Sequence, residues 1–189
     1  MEHQTHYFLA LALPAETKEL LSKWREMLEP RLMFKSWVHP EDLHITLAFL
    51  GGQASFKQLT DIKRQMAEIA KQYERFTLQI NELGTFGKTD SPRILWAGVE
   101  ESESLRMLQK DVYLACTDLG FSLDKRRFTP HITMARRWKS ESSFLPTQLQ
   151  DIVQPKEDKS IFKAEHFVLY QTHLNRSPKY QPLSIFSLK

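Results

Sequence analysis

The chain has 189 residues, 41% of them hydrophobic, 26% charged and 11% aromatic, with a formal net charge of +3 and a pI near 8.9. That composition excludes a disordered or collagen-like chain, and the mild positive charge suits a phosphate-bearing partner without by itself arguing for nucleic acid. The single cysteine, Cys116, excludes an internal disulfide and points to a reducing compartment, so the cytoplasm is the expected location.

Residues 6–13 read as a buried strand that Pro14 stops. The run is too short to cross a membrane and lacks the basic start of a secretory leader, so no membrane partner is expected. Pro14 opens a helix whose apolar stripe is Leu20, Leu21, Trp24, Met27 and Leu28, and Pro30 ends it. A short strand near 34–38 leads through His39-Pro40-Glu41-Asp42 into a strand over 44–50, which Gly51-Gly52 breaks. Ser55 caps a second helix with Leu59, Ile62, Met66, Ile69 and Tyr73 on one side. Strands follow at 76–83 and 94–99, and the turn-rich residues 84–93 between them read as a mobile loop. The third helix, from about 104 to 119, carries Leu105, Leu108, Val112, Ala115 and Leu119 on its stripe, with Gly120 placed for a left-handed cap. Cys116 falls on its apolar side, which makes it a buried, unreactive thiol. After 121–127 come a strand at 131–135, an irregular polar stretch over 139–159, and two strands over 161–172 and 180–187. Trp24 and Trp96 read as core residues.

Three helices among hairpin-spaced strands make an α+β fold, largely antiparallel, with each of two sheets backed by helices. The whole chain, 1–189, reads as a single domain of two lobes around a central cleft. The reason for two lobes is a repeat. His44-Ile45-Thr46-Leu47-Ala48 returns 87 positions later as His131-Ile132-Thr133-Met134-Ala135. Chance alone supplies about 0.4 His-x-Thr in a chain with 7 His and 12 Thr, so one copy means little. His3-Gln4-Thr5-His6 is such a copy: its intervening residue is polar and it lies at the terminus, so it is incidental. The other two share apolar spacers, strand context and a trailing Ala. Alternation on a strand puts His, Thr and Ala on one face and the apolar residues on the other. Two ordinary strands with satisfied core histidines are the plain explanation, but duplication of the polar face itself argues against it.

Two such strands brought face to face would make a pocket holding two imidazoles and two hydroxyls. Imidazole adopts either proton state near neutrality, so one ring can act as base and the other as acid. In-line displacement at phosphorus uses that pair without a metal, with Thr46 and Thr133 donating hydrogen bonds to the phosphate oxygens. No metal or cofactor is expected, because a site built on His3 and His6 lacks further ligands.

The chain resembles the two-histidine phosphoesterases, and within them the bacterial RNA 2′,3′-cyclic phosphodiesterases, historically called 2′-5′ RNA ligases. The matching residues are YFLALALP near the start, Trp37-Val38, the run 43–51 around the first motif, Arg93-Ile94-Leu95-Trp96, the run 128–136 around the second, and Tyr180 with Leu183. The resemblance implies hydrolysis of an RNA or nucleotide 2′,3′-cyclic phosphate to a 2′-phosphomonoester by a monomeric enzyme. It assigns His44 as proton donor to the leaving 3′-oxygen and His131 as acceptor from water. The motifs alone do not separate those two roles. It also suggests phosphate contact for Arg136 and base stacking for Phe49. Strict alternation puts both on the face opposite their histidine, so these roles require the strand to bend, and core packing of Phe49 stays open. Tyr180 either donates to phosphate or packs. Lys88, Arg93 and Lys125-Arg126-Arg127 are candidates for following a substrate chain, against a plain solvated face. RNA ligation at the same site and an idle nucleotide- or RNA-binding module are the competing functions.

Overall fold

The computed structural model describes residues 5–52, 54–149 and 160–189. The elements are β1 (Tyr7–Ala12), α1 (Ala15–Leu28), β2 (Phe34–Trp37), a 3-10 turn (Pro40–Asp42), β3 (His44–Gly51), α2 (Phe56–Ala70), β4 (Phe76–Gly87) and β5 (Pro92–Val99). They continue with α3 (Glu103–Asp118), β6 (His131–Trp138), a 3-10 turn (Pro146–Leu149), β7 (Ile161–Ala164), β8 (His166–Thr172) and β9 (Tyr180–Ser187). The ladder order is β7-β4-β5-β6-β3-β1-β8-β9, with β2 also on β6, and the strand pairings are antiparallel.

Local chemistry accounts for the helices. Ser55 and Gln58 form a reciprocal capping box on α2, and Ser102 accepts from the Leu105 amide at the start of α3. Gly120, at φ +84°, supplies the left-handed residue that ends α3. Ile62, Met66 and Ala70 of α2, Leu105, Leu108, Val112 and Cys116 of α3, and Leu20, Leu21, Trp24 and Leu28 of α1 are buried. They share one core with Leu9, Leu11, Ile45, Leu47, Leu95, Ala97, Ile132 and Met134, which are alternate residues of the central strands. The helices therefore cover one face of the sheet, and the histidines stand on the other.

Several expectations need revision. The two sheets join into one: β3 and β6 pair at Ile45–Ile132, so the motif strands lie side by side rather than face to face. The expected strand over 161–172 breaks at Glu165. Its first part pairs with β4 and its second with β1, far apart in the ladder order, so the sheet must curl to bring those ends together. Main-chain bonds from Leu188 to Glu165 and between residue 189 and the 73–75 segment tie that corner. The mobile loop at 84–93 is mostly strand: β4 runs to Gly87 and β5 starts at Pro92, leaving a four-residue turn. Trp96 is not in the core. It stands on the histidine face over Gly84, where a Cβ would overlap the indole. Within the polar stretch, Phe144 is buried against Phe34 and Trp138, and residues 150–159 lie outside the described residues.

Candidate active site

The site grows out of the seam between β3 and β6. Antiparallel pairing at Ile45–Ile132 means the next positions set His44 beside Thr133 and Thr46 beside His131. Each motif's histidine thus stands against the other motif's threonine, and the repeat axis passes through the isoleucine pair. The two histidines are diagonal neighbours, about 7–8 Å apart at the backbone, a spacing that admits a phosphoryl group between the rings. Flanking strands keep the floor low: Ala10 and Ala12 of β1 lie beside Thr46 and His44, and Gly98 of β5 lies beside His131.

A matched pair of β-bulges answers the alternation problem. On β3, Ala10 pairs with Thr46 but Leu9 pairs with Ala48, so Leu47 is skipped. On β6, Trp96 pairs with Thr133 but Leu95 pairs with Ala135, so Met134 is skipped. One extra residue reverses the facing of everything after it. Phe49 and Arg136 therefore swing onto the histidine face, and both line the cleft. Phe49 is 53% exposed, which rules out its alternative as a core residue. The trailing Ala of each motif sits at its bulge.

The main chain orients both rings identically. His44 Nδ1 donates to the Asp42 carbonyl and His131 Nδ1 donates to the Thr129 carbonyl, each at 2.7 Å. A carbonyl can only accept, so Nδ1 keeps its hydrogen and Nε2 is the atom free to gain or lose a proton. His44 Nε2 lies 3.0 Å from Thr46 Oγ1, which donates to it when the ring is neutral. Burial pushes the His44 pKa down to about 4, and the Arg136 guanidinium adds to the effect. Burial and Arg136 also hold His131 below the usual range for histidine. Both shifts favour the neutral form of the two rings near pH 7. An anion seated between them offsets Arg136 and favours the charged form of either ring.

Beside β3 the cleft encloses about 210 Å³, with His44, Thr46, Phe49, Arg136 and Tyr180 among its lining. His131 and Thr133 continue the same face along β6. Arg136 and Tyr180 share the cleft wall, burial raises the pKa of the Tyr180 hydroxyl, and the Tyr180 ring stands edge-on to His44 at 5.3 Å. Lys88, Arg93 and the basic run 125–127 are not part of this lining, and Arg126 is engaged by Asp124. Sequence reasoning missed Phe8, Thr172 and His6, which also line the cleft. His6 was set aside as terminal, yet its ring stacks on Phe49 at 5.6 Å; His3 lies outside the described residues. Asp42 was missed as well, although its place two residues before His44 was a usable signal. Its buried carboxylate accepts from the amides of Lys179 and Tyr180 at 2.9–3.0 Å. Among the described residues no group of three or more His, Cys, Asp or Glu side chains could hold a metal ion.

Known proteins are similar to this chain over nearly its full length. A protein of Geobacillus stearothermophilus named RNA 2′,3′-cyclic phosphodiesterase is 42% identical over 185 residues, covering 98% of this chain but 58% of that protein's own length. A Bacillus subtilis protein of the same name is 35% identical over 184 residues, covering 97% and 96% of the two chains. The crystal structure of Escherichia coli LigT complexed with 3′-AMP superposes with a TM-score of 0.80 at 25% identity, covering 98% of each chain. Residues 13–176 match the sequence pattern of the 2′-5′ RNA ligase superfamily, and the chain belongs to that superfamily.

Proposed function

We propose that this protein is a metal-independent RNA 2′,3′-cyclic phosphodiesterase that opens a cyclic phosphate to a 2′-phosphomonoester. The observation that carries the reading is the pair of Nδ1-anchored imidazoles set diagonally on adjacent strands, each beside a threonine hydroxyl. The names of its relatives point the same way.

The cyclic phosphate sits between the rings, its non-bridging oxygens accepting from Thr46, Thr133 and Arg136. His131 Nε2 takes a proton from water as its oxygen bonds to phosphorus. The bond from phosphorus to O3′ breaks opposite the incoming oxygen, and O3′ takes the proton on His44 Nε2. One water is consumed and the product carries a 2′-phosphate and a free 3′-hydroxyl. The leaving proton requires His44 to be charged in the complex, and the phosphodiester anion beside the ring stabilises that charge. Phe49, exposed beside the site with His6 stacked on it, offers the terminal base a surface. The protein works as a monomer in the cytoplasm, where a lone buried thiol is stable. Among the described residues no helix is long and apolar enough to cross a membrane.

The test is an oligoribonucleotide ending in a 2′,3′-cyclic phosphate, incubated with EDTA. His44→Ala and His131→Ala each lower kcat by at least about 10²-fold, and the product is a 2′-phosphate. Wild-type turnover in either variant, or stoichiometric binding without product, refutes the reading. Ligation is the same in-line displacement with a ribose 5′-hydroxyl in place of water: its oxygen bonds to phosphorus, O3′ leaves with the proton from His44, and a 2′-5′ phosphodiester forms. Labelled RNA halves joined faster than they are hydrolysed would put it first.

A further inference from the structure

Building on that hydrolase reading, we propose that Asp42 is the positioning residue that makes His44, rather than His131, the proton donor. Both motifs hold Nδ1 on the carbonyl two residues back, so that contact by itself does not divide the labour. The residue supplying that carbonyl does differ. Before His131 it is Thr129, a neutral side chain. Before His44 it is Asp42, whose side chain is 4% exposed.

A buried carboxylate is costly unless its lone pairs are met. Asp42 meets them with main-chain donors from the far end of the chain. Its Oδ1 accepts from the Lys179 and Tyr180 amides at 3.0 Å, and its Oδ2 accepts from Lys179 at 2.9 Å. One residue thus holds the His44 ring through its carbonyl and the first residue of β9 through its carboxylate. That second grip places the Tyr180 ring 5.3 Å from His44 and 4.8 Å from Phe8, closing the cleft on the His44 side.

Among the described residues no lysine, arginine or histidine side chain pairs with Asp42, so main-chain dipoles alone balance its charge and its field reaches its neighbours. The groups that face His44 are Asp42 from the 3-10 turn, Arg136 and His131 from β6, Tyr170 from β8 and Tyr180 from β9. Asp42 supplies the negative charge in that set. A phosphodiester between the rings offsets Arg136 for both histidines. Burial opposes an imidazolium at both rings and more strongly at His44, and Asp42 is the charge that counters it there; His131 has no such carboxylate and is left to accept.

The test separates a proton-donor defect from a loss of structure. On the all-oxygen cyclic substrate, Asp42→Asn lowers kcat about 10- to 100-fold with little change in KM, because the amide keeps one acceptor and loses the charge. On a substrate with sulfur in place of O3′, the thiolate leaves without a proton. There both His44→Ala and Asp42→Asn return to within about 3-fold of wild type, whereas His131→Ala stays slow. Wild-type kcat for Asp42→Asn on the oxygen substrate overturns the proposal. So does an equal loss on both substrates while His44→Ala recovers. Failure of His44→Ala itself to recover instead overturns the acid assignment beneath it. If Asp42→Asn does not fold, the wild-type protein decides by nitrogen NMR with saturating inorganic phosphate: His44 Nε2 gains its proton at a higher pH than His131 Nε2, and the reverse order overturns the proposal.

Discussion

Removing the Arg136 guanidinium should show itself in two independent ways. Arg136 reaches the cleft through the bulge at Met134-Ala135 and places its charge beside both imidazoles. Arg136→Met keeps an apolar stem of similar reach and deletes only the charge and its donors. A hydrogen bond from a cation to phosphate contributes about 1.5–3 kcal/mol, so kcat/KM on a cyclic-phosphate oligonucleotide should fall about 10- to 150-fold. The pH profile supplies the second signature. In the free enzyme the base must be neutral, so its pKa sets the acidic limb of kcat/KM. Arg136 holds both imidazoles low, so deleting it raises their pKa values and moves that limb to higher pH. Initial rates from pH 4 to 9 measure both effects, with Arg137→Met, the exposed neighbour one residue on, as a control expected within about 2-fold of wild type. A kcat/KM unchanged within 2-fold together with an unmoved limb would refute the assignment of Arg136 to phosphate.

Other outcomes follow from packing and titration. His44 is held neutral in the fold, with a pKa pushed down to about 4 against 6.5 in the unfolded chain, so the unfolded state binds more protons between those values. Stability is fully present above pH 6.5 and should fall by up to about 3 kcal/mol as pH drops to 4; urea titrations should show His44→Gln with a flatter dependence. Gly84→Ala places a methyl where the Trp96 indole lies and should cost about 1–3 kcal/mol, read as a lower Tm; an unchanged Tm would contradict the placement of Trp96. Burial pushes the Cys116 thiol up to about 12, so a thiol reagent at pH 8 should label it only after denaturant is added.

Much of the local structure was readable because its causes are local. The stripes on α1, α2 and α3, the Ser55 cap and the Gly120 stop each depend on residues within a turn or two, and they stand where the pattern put them except at Met27, which is exposed, and Tyr73, which lies past the end of α2. The hairpin between β4 and β5 was misread for the opposite reason. Residues 84–87 and 92–93 look like turn formers alone, but pairing and the demand of Trp96 for a neighbour without a side chain make them strand. The break at Glu165 left no turn former in the sequence, since 161–172 reads as one strand-forming run and the two halves differ in their partners.

The sequence by itself determined the chemistry on offer: two copies of a histidine-threonine face, with apolar spacers that commit the other face to a core. Alternation on a strand is a property of the backbone, so that much needs no knowledge of partners. Tertiary structure alone decided that the copies meet side by side at Ile45 and Ile132, and that matched bulges turn Phe49 and Arg136 toward them. A bulge is a count of one strand against another and a ladder is a choice among distant strands, so neither exists until the chain has packed. The same holds for Asp42, whose carboxylate finds its donors 137 residues away.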